Sequence, residues 1–522
     1  MNESAVTKPR RVIPRWRDFP TTAALGELGS TSVGSAPELI RADLAESKRL
    51  WAQFKNPYTA GDLLAAALVE RDWEALEEAA TYLLGDDVKV PAFTKDIAIH
   101  AWKWAHTRAP FPLNDERVES TPIFHHSVIG AIRRSLATFP RDAIYWVELA
   151  LAYTVIGKAE KARRAIVTAL HLSPNDRFVL RCATRCLVHL NDPEMALAVL
   201  SHSPRTKSDS WLLAAHVSVS EIIEKSSRFH KQAKQIVSAE DIDPFHLSEL
   251  NAALATAELS SGNDRRSKKL FRDALVRPTE NALAQALWAK MPLVTETEGN
   301  LFHVPRSFEA NAMALAFVER WNESLEATEK WRDDEPFSAR PASLGSFIAG
   351  TANDDHAAAI KFAESGLVAS PGDATLLNNL AFSLACSGRL DKAKQALNAI
   401  SMHDAALEQK VAVVATTGLI AFREGHTAEG RAKYLEAIEL AERENLTRHL
   451  PAAAIHWALE ELRANPNLAD EAVRRARELA ETVKHPFIRM LVMKLNKQLS
   501  AAGLSPIELE SEQDKKESVP LL

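Results

Sequence analysis

Residues 143–176 read AIYWVELALAYTVIGKAEKARRAIVTALHLSPND. Within this stretch Trp146, Leu149, Ala150 and Tyr153 are spaced as W-x2-L-A-x2-Y. Ala162, Ile166 and Ala169 follow as A-x3-I-x2-A, and Pro174 closes the unit. Apolar residues three and four apart share one helix face, so the spacing predicts two helices packed as a pair. Small residues at Ala150 and Ala162 let the two helices approach closely. Trp146, Tyr153 and Ile166 fill the space around the crossing. Gly157 sits at the turn between them, where a left-handed residue ends the first helix without strain. Pro174 lacks a backbone donor and ends the second.

The unit recurs. Ala196 lies 34 residues after Ala162, and Leu187 lies 34 after Tyr153. Asn191 replaces Gly157, and asparagine is the second choice for a left-handed turn. Residues 374–400, ATLLNNLAFSLACSGRLDKAKQALNAI, repeat the signature with Leu377, Leu380, Ala381, Gly388, Ala393 and Leu397. Residues 414–441 do so with Thr417, Gly418, Gly425, Gly430, Tyr434 and Ala437. Looser copies lie at Leu250–Pro278, Ser343–Pro371, Phe308–Arg332 and Ala452–Thr482.

This pattern resembles the tetratricopeptide repeat (TPR), W-x2-L-G-x2-Y…A-x3-F…P over 34 residues. Ala150 stands for Gly and Ile166 for Phe. The resemblance covers about residues 136–485. It implies an all-α, right-handed superhelical solenoid of about ten helix pairs, with a concave groove lined by the first helix of each pair. Proteins of that family generally hold proteins or peptides there. The size fits as well, because a single core grows poorly to 522 residues whereas each repeat of a solenoid packs only on its neighbours.

Composition excludes much else. Glycine is 18 of 522 residues, about half the usual ~7%. That disfavours sandwiches, barrels and doubly wound nucleotide folds, which need many left-handed turns and phosphate-cradling loops. Three cysteines make no disulfide framework. Lys and Arg number 63 against 69 Asp and Glu, a net of −6, so the whole chain lacks the basic excess of a nucleic-acid binder. Residues 1–19 contain no apolar core of a secretory signal. The longest weakly polar run, Val411 to Phe422, falls well short of the ~20 residues that span a bilayer. These features predict a cytoplasmic protein.

Six segments are expected. Residues 1–35, with three prolines and GSTSVGS, read as a flexible basic and aromatic arm. Residues 36–135 read as divergent helices, 136–291 as a first repeat block and 292–306 as a linker or hinge. Residues 307–500 read as a second repeat block and 501–522 as a disordered tail. Pro336–Gly345 reads as a further interruption.

By the family resemblance, positions 2, 5, 9 and 12 of each first helix line the groove, with 6 and 13 at its margins. The first repeat then presents Ile144, Val147, Leu151 and Thr154. The second presents Phe178, Arg181, Arg185 and Val188, with His189 beside them. Arg181 and Arg185 are four apart and share a helix face. Two guanidiniums on one wall suit a carboxylate or phosphate; the alternative is pairing with acids of the next repeat. They match only part of the family's carboxylate clamp, because Val147 and Leu151 stand at the equivalent first-repeat positions. The late repeats present Asn378, Phe382 and Ala385, then Ala415, Leu419 and Phe422, walls that suit an apolar or backbone-reading ligand.

Charge is uneven: residues 133–234 carry 16 Lys or Arg and 9 Asp or Glu, a net of +7. The arm adds Lys8, Arg10, Arg11, Arg15 and Arg17, with Trp16 and Phe19 interleaved. Three readings fit Arg15, Trp16 and Arg17: a solvated tail, a peptide that docks on a protein or on the chain's own groove, and a nucleic-acid contact by stacking and charge.

Catalytic motifs are missing. No GxxxxGK[ST], GxGxxG, HExxH or CxxC occurs. Cys182 and Cys186, with only His189 nearby, fall short of a metal set and read as core. His125 and His126 project apart, and His100 and His106 lie on different faces. Trp146 and Trp211 read as core, as do Trp321 and Trp331, with an exposed hot spot the alternative for the last two. No enzyme, cofactor or metal is expected. The functional expectation is a scaffold or adaptor with a protein or peptide partner. The alternatives are an accessory regulator of a separate enzyme, a peptide-sensing regulator and a nucleic-acid-associated factor.

Overall fold

The computed structural model describes residues 10–17, 37–70, 72–90, 92–107, 122–239, 242–289, 304–480 and 485–507. Most of the expected linker 292–306, the tail from 508 and the arm outside 10–17 lie outside the described residues. The regular elements among the described residues are all helices, with no strand among them. They divide into two compact units, with the boundary after Ser307.

In the first unit α1–α4 span Pro37–Gln53, Pro57–Glu70, Trp73–Leu83 and Ala92–Thr107. They share a core of Trp51, Leu63, Leu64, Leu76 and Leu83. Helix α5 is Pro122–Thr138. Four pairs follow: α6/α7 at Ala143–Val155 and Ala159–Leu172, α8/α9 at Arg177–His189 and Pro193–His202, α10/α11 at Ser210–Ile222 and His230–Val237, and α12/α13 at Pro244–Ser260 and Asp264–Ala274. Helix α14, Glu280–Trp288, opens the next repeat. Each helix packs on its partner, and α10 also packs on α12, the next first helix. That contact pattern, partner plus next-but-one, is what makes a stack of pairs.

The turns explain why the chain folds back at these places. Gly157 and Asn191 have φ of 70° and 58° and end α6 and α8. The same left-handed backbone recurs at Glu224 and Gly262. The starts are periodic too. Asp142, Asp176, Asp209 and Asp243 cap α6, α8, α10 and α12 by accepting backbone N–H bonds, for example Asp176 from Val179 at 2.9 Å. Each such cap stabilises its helix by about 1 kcal/mol.

In the second unit the pairs are α15/α16 at Phe308–Phe317 and Trp321–Asp334, α17/α18 at Ala339–Phe347 and His356–Ala369, α19/α20 at Ala374–Cys386 and Leu390–Asn398, α21/α22 at Leu407–Arg423 and Thr427–Arg443, and α23/α24 at His449–Ala464 and Asp470–Ala480. Helix α25, Pro486–Ala501, ends the unit. Left-handed turns recur at Glu319, Asp354, Gly388, Gly425 and Asn445. Trp457, Tyr434, Ile455, Val492 and Leu495 anchor one continuous core.

The interruption expected at 336–345 is corrected: α17 begins at Ala339. Pro341 falls in its first turn, where the missing donor costs nothing. Gly345 is inside the helix because a Cβ there would meet the Phe362 ring at 2.5 Å. Trp331 is buried and donates Nε1–H to Glu335 at 2.9 Å. Trp321 is partly buried and stacks on Phe487, 5.4 Å between ring centroids.

Candidate functional site

The face formed by the first helices of the 10–307 unit is polar and buried. Arg181 of α8 reaches Glu249 of α12 through both guanidinium arms, at 3.0 and 3.4 Å. Its guanidinium also lies 4.7 Å from the ring centre of Trp211 in α10. Trp211, read from the sequence as core, is therefore both buried and part of this face. The Glu249 carboxylate accepts a further bond from Asn281 Nδ2 of α14 at 3.1 Å. One turn below, Arg177 is sunk against Asp209 at 2.5 Å, and burial pushes its pKa down to about 10 despite that carboxylate. Arg181 is only 7% exposed, so its charge is directed into the protein. Arg185 and His189, the other predicted groove residues, are partly buried on the same helix.

Residues 10–17, RRVIPRWR, lie on this face outside any helix, with a tight turn in which the Ile13 N–H donates to the Arg11 carbonyl at 2.8 Å. Arg10 donates to Gln285 Oε1 and to Asn281 Oδ1, both at 2.7 Å. The same two amides read the main chain in return. Gln285 Nε2 donates to the Arg10 carbonyl at 3.1 Å, and Asn281 Nδ2 to the Ile13 carbonyl at 2.9 Å. Gln285 is itself fixed by Thr256 at 3.0 Å. Ile13 packs on the cluster of Leu180, Leu187, Leu212, Ala215 and Val219. Val12 and Trp16 are fully buried, and Arg17 pairs with Glu280 at 3.1 Å. Arg15 is also buried. Burial lowers the Arg11 pKa, and the Glu221 charge works against that shift. The expectation of a flexible arm is thus corrected over 10–17. Charge complementarity and an apolar anchor hold this stretch in place.

The second unit presents its first helices differently. Phe347, Asn378, Phe382, Ala415, Leu419 and Phe487 are among the residues lining a cavity of about 260 Å³. Asn379 donates to Ser346 Oγ at 2.9 Å and Gln409 to Thr375 Oγ1 at 3.1 Å, so these amides are held by neighbours. Asn378 Oδ1 has no hydrogen-bond partner among the described residues. The Phe382 ring lies 5.6 Å from His456 and 6.1 Å from His356. Burial pushes the His456 pKa down to about 4, with Lys494 adding to the shift, and lowers those of His449 and His356. These imidazoles are neutral at pH 7. The predicted pair Asn378 and Phe382 therefore stands on a common wall, apolar with single polar handles.

Cys182 and Cys186 are buried, and burial raises the Cys186 thiol to about 12, so it is no nucleophile. Among the described residues no group of three metal-ligating side chains converges, and no helix is long and apolar enough to cross a membrane.

Sequence reasoning missed Glu249, Asn281 and Gln285, the residues that meet the arm or its partners. The cap period would have found them. Counting from caps Asp176, Asp209, Asp243 and Thr279, Trp211 and Asn281 fall at position 2, and Glu249 and Gln285 at position 6. The degenerate TPR signature after residue 234 hid that frame.

No family model matches the chain, and no curated protein does. Solved structures resemble it, two of them as follows. One is the APC/C hetero-tetramer Cut9–Hcn1, with a TM-score of 0.45 and 11% identity over 90% of this chain and 92% of that one. The other is yeast Tom70, with a TM-score of 0.31 and 12% identity over 86% of this chain and 100% of that one. Neither likeness is close enough to carry an argument about partners. The helix pairs, their left-handed turns and their 34-residue spacing stand on their own, and they make this chain a helical-repeat protein consistent with the tetratricopeptide pattern.

Proposed function

We propose that the chain is a non-catalytic scaffold or adaptor that holds a protein or peptide partner along the first helices of its repeats. One observation carries this reading: the 10–307 unit holds a non-helical peptide, its own residues 10–17, with amide side chains bonded to the peptide main chain. A face that binds a peptide main chain in this way is chemically a peptide receptor. The cavity around Asn378 and Phe382, about 260 Å³, offers a second wall with the apolar character of ligand pockets.

The nucleic-acid reading needs Arg15, Trp16 and Arg17 presented to solvent, and all three are buried. That leaves the protein-partner reading ahead. The test is affinity capture from the native host with Phe382→Ala and Asn378→Ala in the full chain. The expected result is one stoichiometric protein partner, lost or weakened at least tenfold in the double variant. Capture that is indifferent to both substitutions overturns the role of this wall; nuclease-sensitive eluate without protein overturns the reading.

A further inference from the structure

We propose that the 10–307 face is a receptor for arginine-bearing non-helical segments, and that residues 10–17 are its tethered, displaceable occupant. A partner that presents an arginine, and a Trp-Arg pair six residues later, would take the arm's place. This inference rests on the peptide-binding reading above and names the ligand chemistry of one face.

Four observations support it. The described arm makes ligand-type contacts: amide side chains to main chain, a bidentate guanidinium and a buried indole. Charges are complementary: of four arginines in eight residues, Arg17 pairs with Glu280 and Arg11 feels the charge of Glu221. The side chains that meet the arm's arginines and carbonyls, Asn281, Gln285 and Glu280, are polar and hydrate when the arm leaves, while the apolar seat of Ile13 on Leu180, Leu187 and Leu212 requires an apolar residue from the incoming segment. Finally, residues 10–17 belong to the same chain as their seat, so a segment from another molecule displaces them only when it binds tightly or is abundant. That is how such a device rejects weak competitors.

The test uses the full chain and a fluorescein-labelled peptide of residues 8–19, KPRRVIPRWRDF. Binding is measured by anisotropy to the unaltered chain, to an Arg10→Ala, Trp16→Ala chain, and to that chain with Asn281→Ala and Gln285→Ala added. The weakened arm should raise peptide affinity at least tenfold, and the added pair should remove that gain. A peptide carrying Arg10→Ala should bind at least tenfold more weakly. Equal binding to the unaltered and arm-weakened chains overturns the proposal. So do concentration-dependent dimers formed by arm exchange in place of peptide capture. Should the arm-weakened chain lose its helical circular dichroism, hydrogen exchange on the unaltered chain decides. Amides of 11–17 exchanging ahead of α12 and α14 support displacement, and exchange in step with those helices marks a permanent strut and overturns it. Partner capture through Phe382 is read separately, so the broader reading survives or fails by its own experiment.

Discussion

The two first-helix faces are built from the same repeat and do opposite things. In the 10–307 unit the face is a chain of paired groups, Arg181 to Glu249 to Asn281 to the Ile13 carbonyl, with Arg10 and Gln285 beside it. In the 308–507 unit the corresponding face is rings, small side chains and neutral histidines around a cavity. The repeat dictates how helices pack, and it leaves the groove positions unconstrained. Ligand chemistry is therefore written in the residues that packing does not use.

The sharpest way to break this comparison is Glu249→Ala. It leaves the Arg181 charge buried without its carboxylate, and removing one partner of a buried pair costs about 3–5 kcal/mol. Denaturant unfolding of the full chain should show that loss in the transition of the 10–307 unit alone. A cost below about 1 kcal/mol would mean that Arg181 escapes to water and that the network is not the floor of the site.

Acidification tests whether both faces depend on neutral imidazoles. His216, bonded to Ser227 at 2.8 Å, and His456 are each pushed down to about 4 by burial. The unfolded chain binds a proton near pH 6.5 that the folded chain refuses, so stability is full above pH 6.5 and falls as pH drops toward 4. Each histidine accounts for up to about 3 kcal/mol over that window. His456→Gln should flatten the acid dependence of the second unit and leave that of the first; an unchanged profile would show that His456 is protonated freely.

Packing sets the next scale. A Cβ placed on Gly418 of α21 would meet the Gly430 carbonyl and the Tyr434 ring, each at 3.0 Å. Gly418→Ala should cost about 1–3 kcal/mol by overpacking, read as a lower thermal midpoint for the second unit. No loss would mean that α21 and α22 can separate there. The smallest effect is expected on the exposed outer side, where Arg474 and Glu478 pair at 2.9 Å with both side chains about half exposed. Glu478→Ala should cost about 0.5 kcal/mol or less. A larger loss would mark the outer side as structured in a way that the repeat does not require.

The repeat was legible because its constraints are local. Gly157 and Asn191 predict their left-handed turns from residue type alone, and Trp146, Ala150 and Ala162 predict the helix crossing. Pro336–Gly345 misled for an equally physical reason: proline and glycine normally punctuate, yet Pro341 sits in a first turn and Gly345 makes room for Phe362. Asn378 and Phe382 could be placed on one wall because their spacing is helical and their repeat is clear.

Arg181, by contrast, could be placed on the face but not assigned a partner. Glu249 lies 68 residues away, and Arg10 and Gln285 are 275 apart. Helix periodicity fixes which side of a helix a residue occupies, and that much the amino-acid sequence determined by itself: the paired helices, their turns and the inward-facing positions. Which charges meet across the stacked helices, and that Arg10, Arg15, Trp16 and Arg17 are buried rather than solvated, was decided only by tertiary structure. Such pairings arise from how successive repeats align in space, and no local rule of spacing carries that information.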